Sequence, residues 1–390
     1  MDQIDSNCET LILNFIDSGY KYEEILELLR VRNGVLLSLS TFKRWLRRKG
    51  IKCRPVNGVA SDPVIIQRAI TEELNGSGAN IGYRRMHKCL VSNGLRCRRE
   101  EVRRAMLILD PEGVQLRKKR RIHRRNYISQ GPNSVWHIDG HDKLKPFGFS
   151  IHGCIDGFSR KLIWLEVGTT NKMPEVVAKY YLDAVSDLKG IPRKLKADNG
   201  TEHALIEPIH RFLRSITGNS GDDDFSIITS PQNQRIEAYW SLLQRDRIGW
   251  WRRFFQDLAD NDLVSNEPVK LDCMRFCFMR LIRNDLLSIM ENWNSHIISK
   301  SRNGGPSGRP NCMFYLPHLY NVDDHLQQID VAEVEEFRPI VEVFDSRDYS
   351  EEFQEFADFF LIQAGIGLPN SPSEALHLYL HLLEKIKLYS

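Results

Sequence analysis

Long apolar runs are missing from this 390-residue sequence. None approaches the roughly 18 residues that a bilayer-spanning helix needs, so no membrane role is expected. The opening stretch, MDQIDSNCETLILNF, begins with acids and lacks the basic flank and apolar segment of a secretory signal, so residence inside the cell is expected. Cysteine is present but unpatterned. Cys8, Cys53, Cys89, Cys97, Cys154, Cys273, Cys277 and Cys312 contain no CxxC pair, which argues against both a disulfide framework and a zinc finger. Cys273 and Cys277 lie one helical turn apart, but their MRFCFMRLI surroundings read as a core face rather than a metal site.

Net charge is also scarce, at +3, yet the signs are segregated. Residues 96–125 hold twelve Arg or Lys, whereas residues 323–358 are dominated by Asp and Glu. Separation of this kind points to a polyanion-binding half with an acidic tail. If that tail competed with DNA for the basic region, the chain would be autoinhibited.

Four regions follow from the patterning. Residues 1–60 form a first helical module. In it Ile25, Leu28 and Leu29 make one stripe before Asn33-Gly34, and a second helix, capped by Ser38 or Ser40, turns Phe42, Trp45 and Leu46 inward. Its outer face carries Lys43, Arg44, Arg47 and Arg48, as in a DNA-reading helix-turn-helix, although a plain helical hairpin has the same pattern. Residues 61–125 form a second such module with a basic linker. Val102, Met106 and Leu109 face inward, and Arg98, Arg99, Arg103 and Arg104 face outward. The linker RKKRRIHRR, with Lys118, Lys119, Arg120 and Arg121, suits a phosphate backbone and would also serve as a nuclear import signal. Residues 126–300 give three strands, then helix, strand, helix, strand, helix, an α/β order that implies a mixed sheet covered by helices. Residues 301–390 are an acidic helical region.

Three acids stand out by position. Asp139 lies in the first strand, Asp198 ends a later strand at Asp-Asn-Gly, and Glu237 opens a long helix. On that helix Asn233 and Glu237 are four apart, while Ile236, Trp240 and Leu243 form the buried stripe. Carboxylates on rigid elements suit hard cations, and the chemistry that follows is phosphoryl transfer assisted by two Mg2+ or Mn2+ ions. Asp142 and Asp156 are alternative ligands, although Asp156 reads as a turn residue and Asp142 as a solvent contact. Glu202, one turn after Asp198, reads as a supporting group. Lys196, Asn233 and Arg235 are placed near the DNA backbone. His137 is placed on the opposite strand face from Asp139 and read as structural. GWWRRFF at 249–255 reads as aromatic packing rather than a base-stacking platform.

In combination VWHIDG, KADNGTE and SPQNQRIE resemble the three motifs of the retroviral integrase superfamily. NIGYRRMHKCLVSNGLRCRREEVRRAM is similar to the helix-turn-helix segment of related bacterial insertion-sequence transposases. The resemblance covers roughly residues 62–300 and suggests a eukaryotic transposon-derived protein. It implies an RNase H-like core of five strands and a catalytic triad of Asp139, Asp198 and Glu237 that also binds two divalent ions. It implies DNA strand cleavage and strand transfer, action on transposon ends and target duplex, a homo-oligomer, a nuclear location and no small-molecule substrate. His203 departs from the Phe common at its position, the Asp198-to-Glu237 spacing is slightly long, GNSGDDDF looks like an inserted acidic loop, and the zinc-binding module of retroviral integrases is absent. A domesticated DNA-binding protein that no longer transposes and a plain RNase H-like nuclease are the alternatives.

Overall fold

The computed structural model describes residues 6–51, 61–118, 129–218, 221, 224–228, 232–245, 247–300, 305–342 and 347–389, with backbone only at 6, 116–118 and 388–389. The side chain of Lys118, all of Lys119, Arg120 and Arg121, and Ser230-Pro231 of the third motif lie outside the described residues. Contacts divide the chain into two compact units, Met1–Pro132 with Asn292–Asp324 and Asn133–Glu291 with His325–Ser390. This division differs from the boundaries expected from sequence. Residues 292–324 group with the N-terminal modules and the acidic region groups with the sheet.

The first unit has two apolar centres. One is built by α1 (Ser6–Asp17), α2 (Tyr22–Asn33) and α3 (Leu39–Arg48) together with the short helix Pro310–Tyr315. Ile12, Ile25, Leu28, Leu29, Phe42 and Leu46 meet Cys312 and Leu316 there. Gly34 ends α2 at φ 66°, a left-handed conformation that glycine adopts without a steric penalty, and Ser38 caps α3 by accepting from the Thr41 amide. Trp45 is only half-buried, stacked on Phe42 with ring centroids 6.4 Å apart. The other centre joins α4 (Pro63–Asn75), α5 (Tyr83–Ser92) and α6 (Arg99–Leu109) around Ile66, Ile70, Met86, Leu90, Val102 and Met106. Leu109 does not join it. It is the last residue of α6 and is exposed, and Ala105 completes the inward stripe instead. Helix α7 (Pro111–Lys118) follows.

The second unit is built on a five-stranded sheet. Its strands are β1 (Trp136–His141), β2 (Ser150–Asp156), β3 (Leu162–Gly168), β5 (Leu195–Ala197) and β6 (Phe225–Ile227), in the order β3-β2-β1-β5-β6. The first three form antiparallel neighbours, whereas β5 runs parallel to both β1 and β6. A two-residue strand β4 (Gly190–Ile191) pairs separately with β7 (Gln327–Gln328). This is the mixed sheet of an RNase H-like core flanked by helices. Helix α8 (Pro174–Leu188) starts on Pro174 and buries Val177, Tyr181, Leu182 and Val185 against one sheet face, joined by Ile209 and Leu213 of α9 (Ile206–Ile216). Helix α10 (Gln234–Arg245) covers the other face at β1 and β2 and turns Ile236, Trp240 and Leu243 inward. Trp251 and Phe255 of α11 (Ile248–Asp260) pack on Phe278 of α12 (Pro268–Ser295), so the 249–255 aromatics fill a core.

The acidic region is part of this unit. Val334 and Val341 are buried with α8, Arg338 pairs with Asp183 of α8, and Asp348 holds Arg283 through two contacts of 2.5 and 2.6 Å. Cys273 and Cys277 are fully buried. Among the described residues no helix is long and apolar enough to cross a membrane.

Candidate active site

Strand alternation decides which groups can meet. On β1, Trp136 and Ile138 enter the core under α8. His137, Asp139 and His141 therefore face α10, and contacts to Asn233 and Trp240 place them there. His137 and Asp139 thus share a face, contrary to the sequence expectation, because residues two apart on a strand always do. On β5, Leu195 and Ala197 occupy the α8 core, so Lys196 and Asp198 also face α10. The parallel pairing is Trp136 with Leu195 and His137 with Lys196. Carried to the end of β5, that offset sets Asp139 beside Asp198 on adjacent strands, whose spacing is about 4.8 Å. Glu237 enters from α10.

Asp139 is buried, and its Oδ2 accepts the Trp240 indole N–H at 2.8 Å. Burial pushes its carboxyl up to about 7, the Trp240 bond opposes the rise, and the negative charges of Asp198 and Glu237 add to it. Glu237 is raised as well, by partial burial and then by Asp198. The three acids therefore interact electrostatically across one face. Asp198 Oδ1 is a buried oxygen without a hydrogen-bond partner, an atom that a cation would satisfy.

The sequence leaves the setting of α10 unread. Asn233 is 1% exposed. Its Oδ1 accepts from His137 Nδ1 at 2.7 Å, its Nδ2 donates to the Ile138 carbonyl at 3.0 Å, and its own carbonyl accepts the Glu237 amide at 3.2 Å. Asn233 thus clamps the start of α10 to the His137–Ile138 segment of β1, just before Asp139, and sets the height of Glu237. It is turned into the protein, which corrects its assignment as a DNA contact. Gly153, paired opposite Asp139, lets Trp240 approach. A Cβ there would sit 2.7 Å from the indole Cη2. The aromatic at 240, one turn beyond Glu237, is a sequence signal of this arrangement.

The loop after Asp198 is closely knit. Glu202 is buried and accepts Lys172 Nζ at 2.8 Å, and buried His203 brings Nδ1 to 3.6 Å from Asp198 Oδ1. Among the described residues, the group of three metal-ligating side chains whose ligand atoms lie within 4.8 Å of one another is Asp198, Glu202 and His203. Asp139, Asp198 and Glu237 are more widely set.

The alternative ligands have other occupations. Asp156 is fully buried and accepts from the Asn133 and Ser159 amides and the Ser159 hydroxyl at 2.7–2.8 Å, so it organises the β2–β3 turn. Asp142 accepts from Asn171 at 2.8 Å. Arg235 is half-buried and donates to the Gly157 carbonyl, and Lys196 is half-buried near His137, whose pKa its charge lowers. Lys43, Arg44, Arg47 and Arg48 are exposed on α3. Arg98, Arg99, Arg103 and Arg104 are exposed at α6, where Glu100 engages Arg103 at 2.7 and 2.8 Å and Arg104 at 3.3 Å.

Residues 126–315 match the family model of the integrase core domain. That region is integrase-like. The match covers just under half of the chain and supports a likeness of this region to the integrase and transposase superfamily and an integrase- or transposase-like function in general. No curated protein matches the chain. The integrase core domain runs from just before β1 to beyond α12, and therefore contains all three carboxylates on the α10 face.

Proposed function

We propose that this protein is an Asp-Asp-Glu polynucleotidyl transferase that cleaves DNA strands and joins them to a target duplex. The observation that carries the reading is the convergence of Asp139, Asp198 and Glu237 on the α10 face of an integrase core domain, where Asp139 and Glu237 are raised in pKa by burial first and then by the neighbouring carboxylates. The donor set is all oxygen and includes the unsatisfied Asp198 Oδ1, which suits Mg2+ or Mn2+. When bound, two such ions supply activation of a water or 3′-hydroxyl nucleophile and stabilisation of the leaving oxygen.

The chain's own residues do the positioning. Trp240 and the Gly140 amide hold the Asp139 carboxylate in place, and Asn233 registers Glu237 against β1. Gathered carboxylates repel phosphate, so DNA attraction falls to cationic surfaces elsewhere. The exposed basic faces of α3 and α6 serve this role as helix-turn-helix modules, and within the sheet unit Arg235 and Lys196 add positive charge. Arg103 and Arg104 are engaged by Glu100 and would have to exchange that partner for phosphate. Assembly as a homo-oligomer on paired transposon ends and a nuclear location belong to the same reading.

The test is a strand-transfer assay with Mg2+ or Mn2+ that compares wild type with Asp198→Asn. Transfer by wild type alone is expected. Equal transfer by both would remove the mechanism, cleavage without joining would indicate a nuclease, and inactivity of both would indicate a domesticated DNA-binding protein.

A further inference from the structure

We propose that Asp198, Glu202 and His203 form a mixed carboxylate and imidazole site for a divalent transition metal, so that the cation held by Asp198 carries a nitrogen ligand. The inference rests on the reading of Asp198 as a metal ligand and adds two residues that the Asp-Asp-Glu triad does not include.

Four observations support it. The ligand atoms of the three side chains already lie within 4.8 Å of one another. His203 is 4% exposed, and neither ring nitrogen makes a hydrogen bond of good geometry. Its ring faces the Glu202 and Asp198 carboxylates, with Nδ1 3.6 Å from Asp198 Oδ1, and it interacts with the Asp198 backbone. A buried imidazole whose nitrogens make no well-formed hydrogen bond is costly, and a cation that accepts a ring lone pair offsets the cost.

The third observation is the loop's shape. A Cβ at Gly200 would lie 2.5 Å from the Glu202 Cδ and 2.6 and 2.7 Å from its oxygens. Glycine at 200 is thus what lets the Glu202 carboxylate fold back under the loop toward Asp198. The fourth is charge. Glu202 is held by the Lys172 ammonium at 2.8 Å, a cation on a half-exposed stem that can swing out when a metal enters. His152 is the other imidazole close by, with ring centroids 6.0 Å apart. Its Nδ1 accepts from Trp164, and it is not among the side chains whose ligand atoms gather within 4.8 Å.

An all-oxygen site suits Mg2+, whereas an imidazole shifts preference toward Mn2+, Co2+ or Zn2+. His203→Phe should therefore weaken Mn2+ binding much more than Mg2+ binding. Loss of an outer hydrogen-bond partner of a metal ligand typically costs at least ~10-fold in affinity, and loss of an inner ligand is expected to cost no less.

The experiment titrates the full chain with Mn2+ alone and with Mg2+ alone, for wild type, His203→Phe and Asp198→Asn, following free Mn2+ by electron paramagnetic resonance and Mg2+ by calorimetry. Selective loss of Mn2+ affinity in His203→Phe, with both ions weakened in Asp198→Asn, supports the site. Unchanged Mn2+ affinity in His203→Phe overturns the nitrogen ligand and leaves the Asp198 reading intact. Unchanged binding in Asp198→Asn overturns the reading beneath it. Spin-echo modulation spectra of Mn2+ on the unmodified chain decide the matter even if a variant fails to fold. A coordinated imidazole nitrogen supports the proposal, and its absence overturns it.

Discussion

Replacing Trp240 by Phe keeps an aromatic ring on α10 but withdraws the indole atoms that reach Gly153 and removes the donor that holds Asp139 Oδ2 at 2.8 Å. A hydrogen bond to a charged group is worth about 1.5–3 kcal/mol, which corresponds to roughly 1–2 pK units. Asp139 already stands at about 7, chiefly through burial, and the indole is the leading influence holding it down. The variant should therefore carry Asp139 to roughly 8–9. The sign follows for stability. An acid raised in the folded state is disfavoured in its charged form, so its penalty is absent at acid pH and complete above the folded pKa. The variant should be little changed at pH 5 in this respect and weaker by about 1.5–3 kcal/mol at pH 9 or above. Carbon NMR of the Asp139 carboxyl across this pH range, in metal-free protein, reads the shift directly, and urea unfolding at the two pH values reads the energy. An unmoved titration midpoint, or a destabilisation that is the same at both pH values, would refute the argument and reduce Trp240 to packing.

Three further outcomes are expected. Asn233→Ala removes the hydrogen bonds to the His137 ring and to the Ile138 carbonyl and should cost about 1–3 kcal/mol in urea unfolding; a negligible loss would show that α10 is held by packing alone. Asp285 accepts from Arg247 at 2.6 Å and from Trp251 at 2.8 Å, so Asp285→Ala should lower stability by about 3–5 kcal/mol, measured in the same way. His210 and His137 are buried neutral, pushed down to about 3 and about 4, chiefly by desolvation. The unfolded chain takes up these protons first, near pH 6.5, so stability should fall from there toward pH 4, by up to ~1.4 kcal/mol per pH unit for each ring. His210→Gln, with an acceptor retained for Tyr181, should flatten that slope by about one proton; an unchanged slope would count against a neutral His210.

The run of three strands, then helix, strand, helix, strand and helix, and the inward faces of α2 and α10, are legible in the sequence because each follows from a local period of two or of 3.6 residues. The grouping of residues 325–390 with the sheet was not legible. Val334 and Val341 look like isolated apolar positions in an acidic stretch, and only the fold shows that they reach α8. Burial there also weighs against a tail that competes with DNA for the basic region, since releasing it would expose core side chains. The role of Asn233 was misread for a related reason. A polar residue just before a helix is usually solvated, and the signal that it turns inward, a histidine two residues before the strand acid, lies nearly a hundred residues away.

The two glycines near the site explain why its finer geometry escapes any reading of side chains alone. Gly153 and Gly200 contribute by absence. The first lets an indole reach Asp139, and the second lets Glu202 fold under Asp198. Neither has the left-handed backbone that usually marks a glycine as required, so their importance is steric and depends on residues far away in sequence or curled back from a nearby turn. The same logic separates the two carboxylate settings. Asp139, Asp198 and Glu237 come from different elements and are set by the sheet's register and the height of α10, so their spacing is open to closure by a bound cation. Asp198, Glu202 and His203 come from one loop and are already close. A cation that entered would meet the loop's ligands in place and draw in Glu237, which is half-buried and one helical turn from its anchor at Asn233. The order of assembly would then be loop first and α10 second.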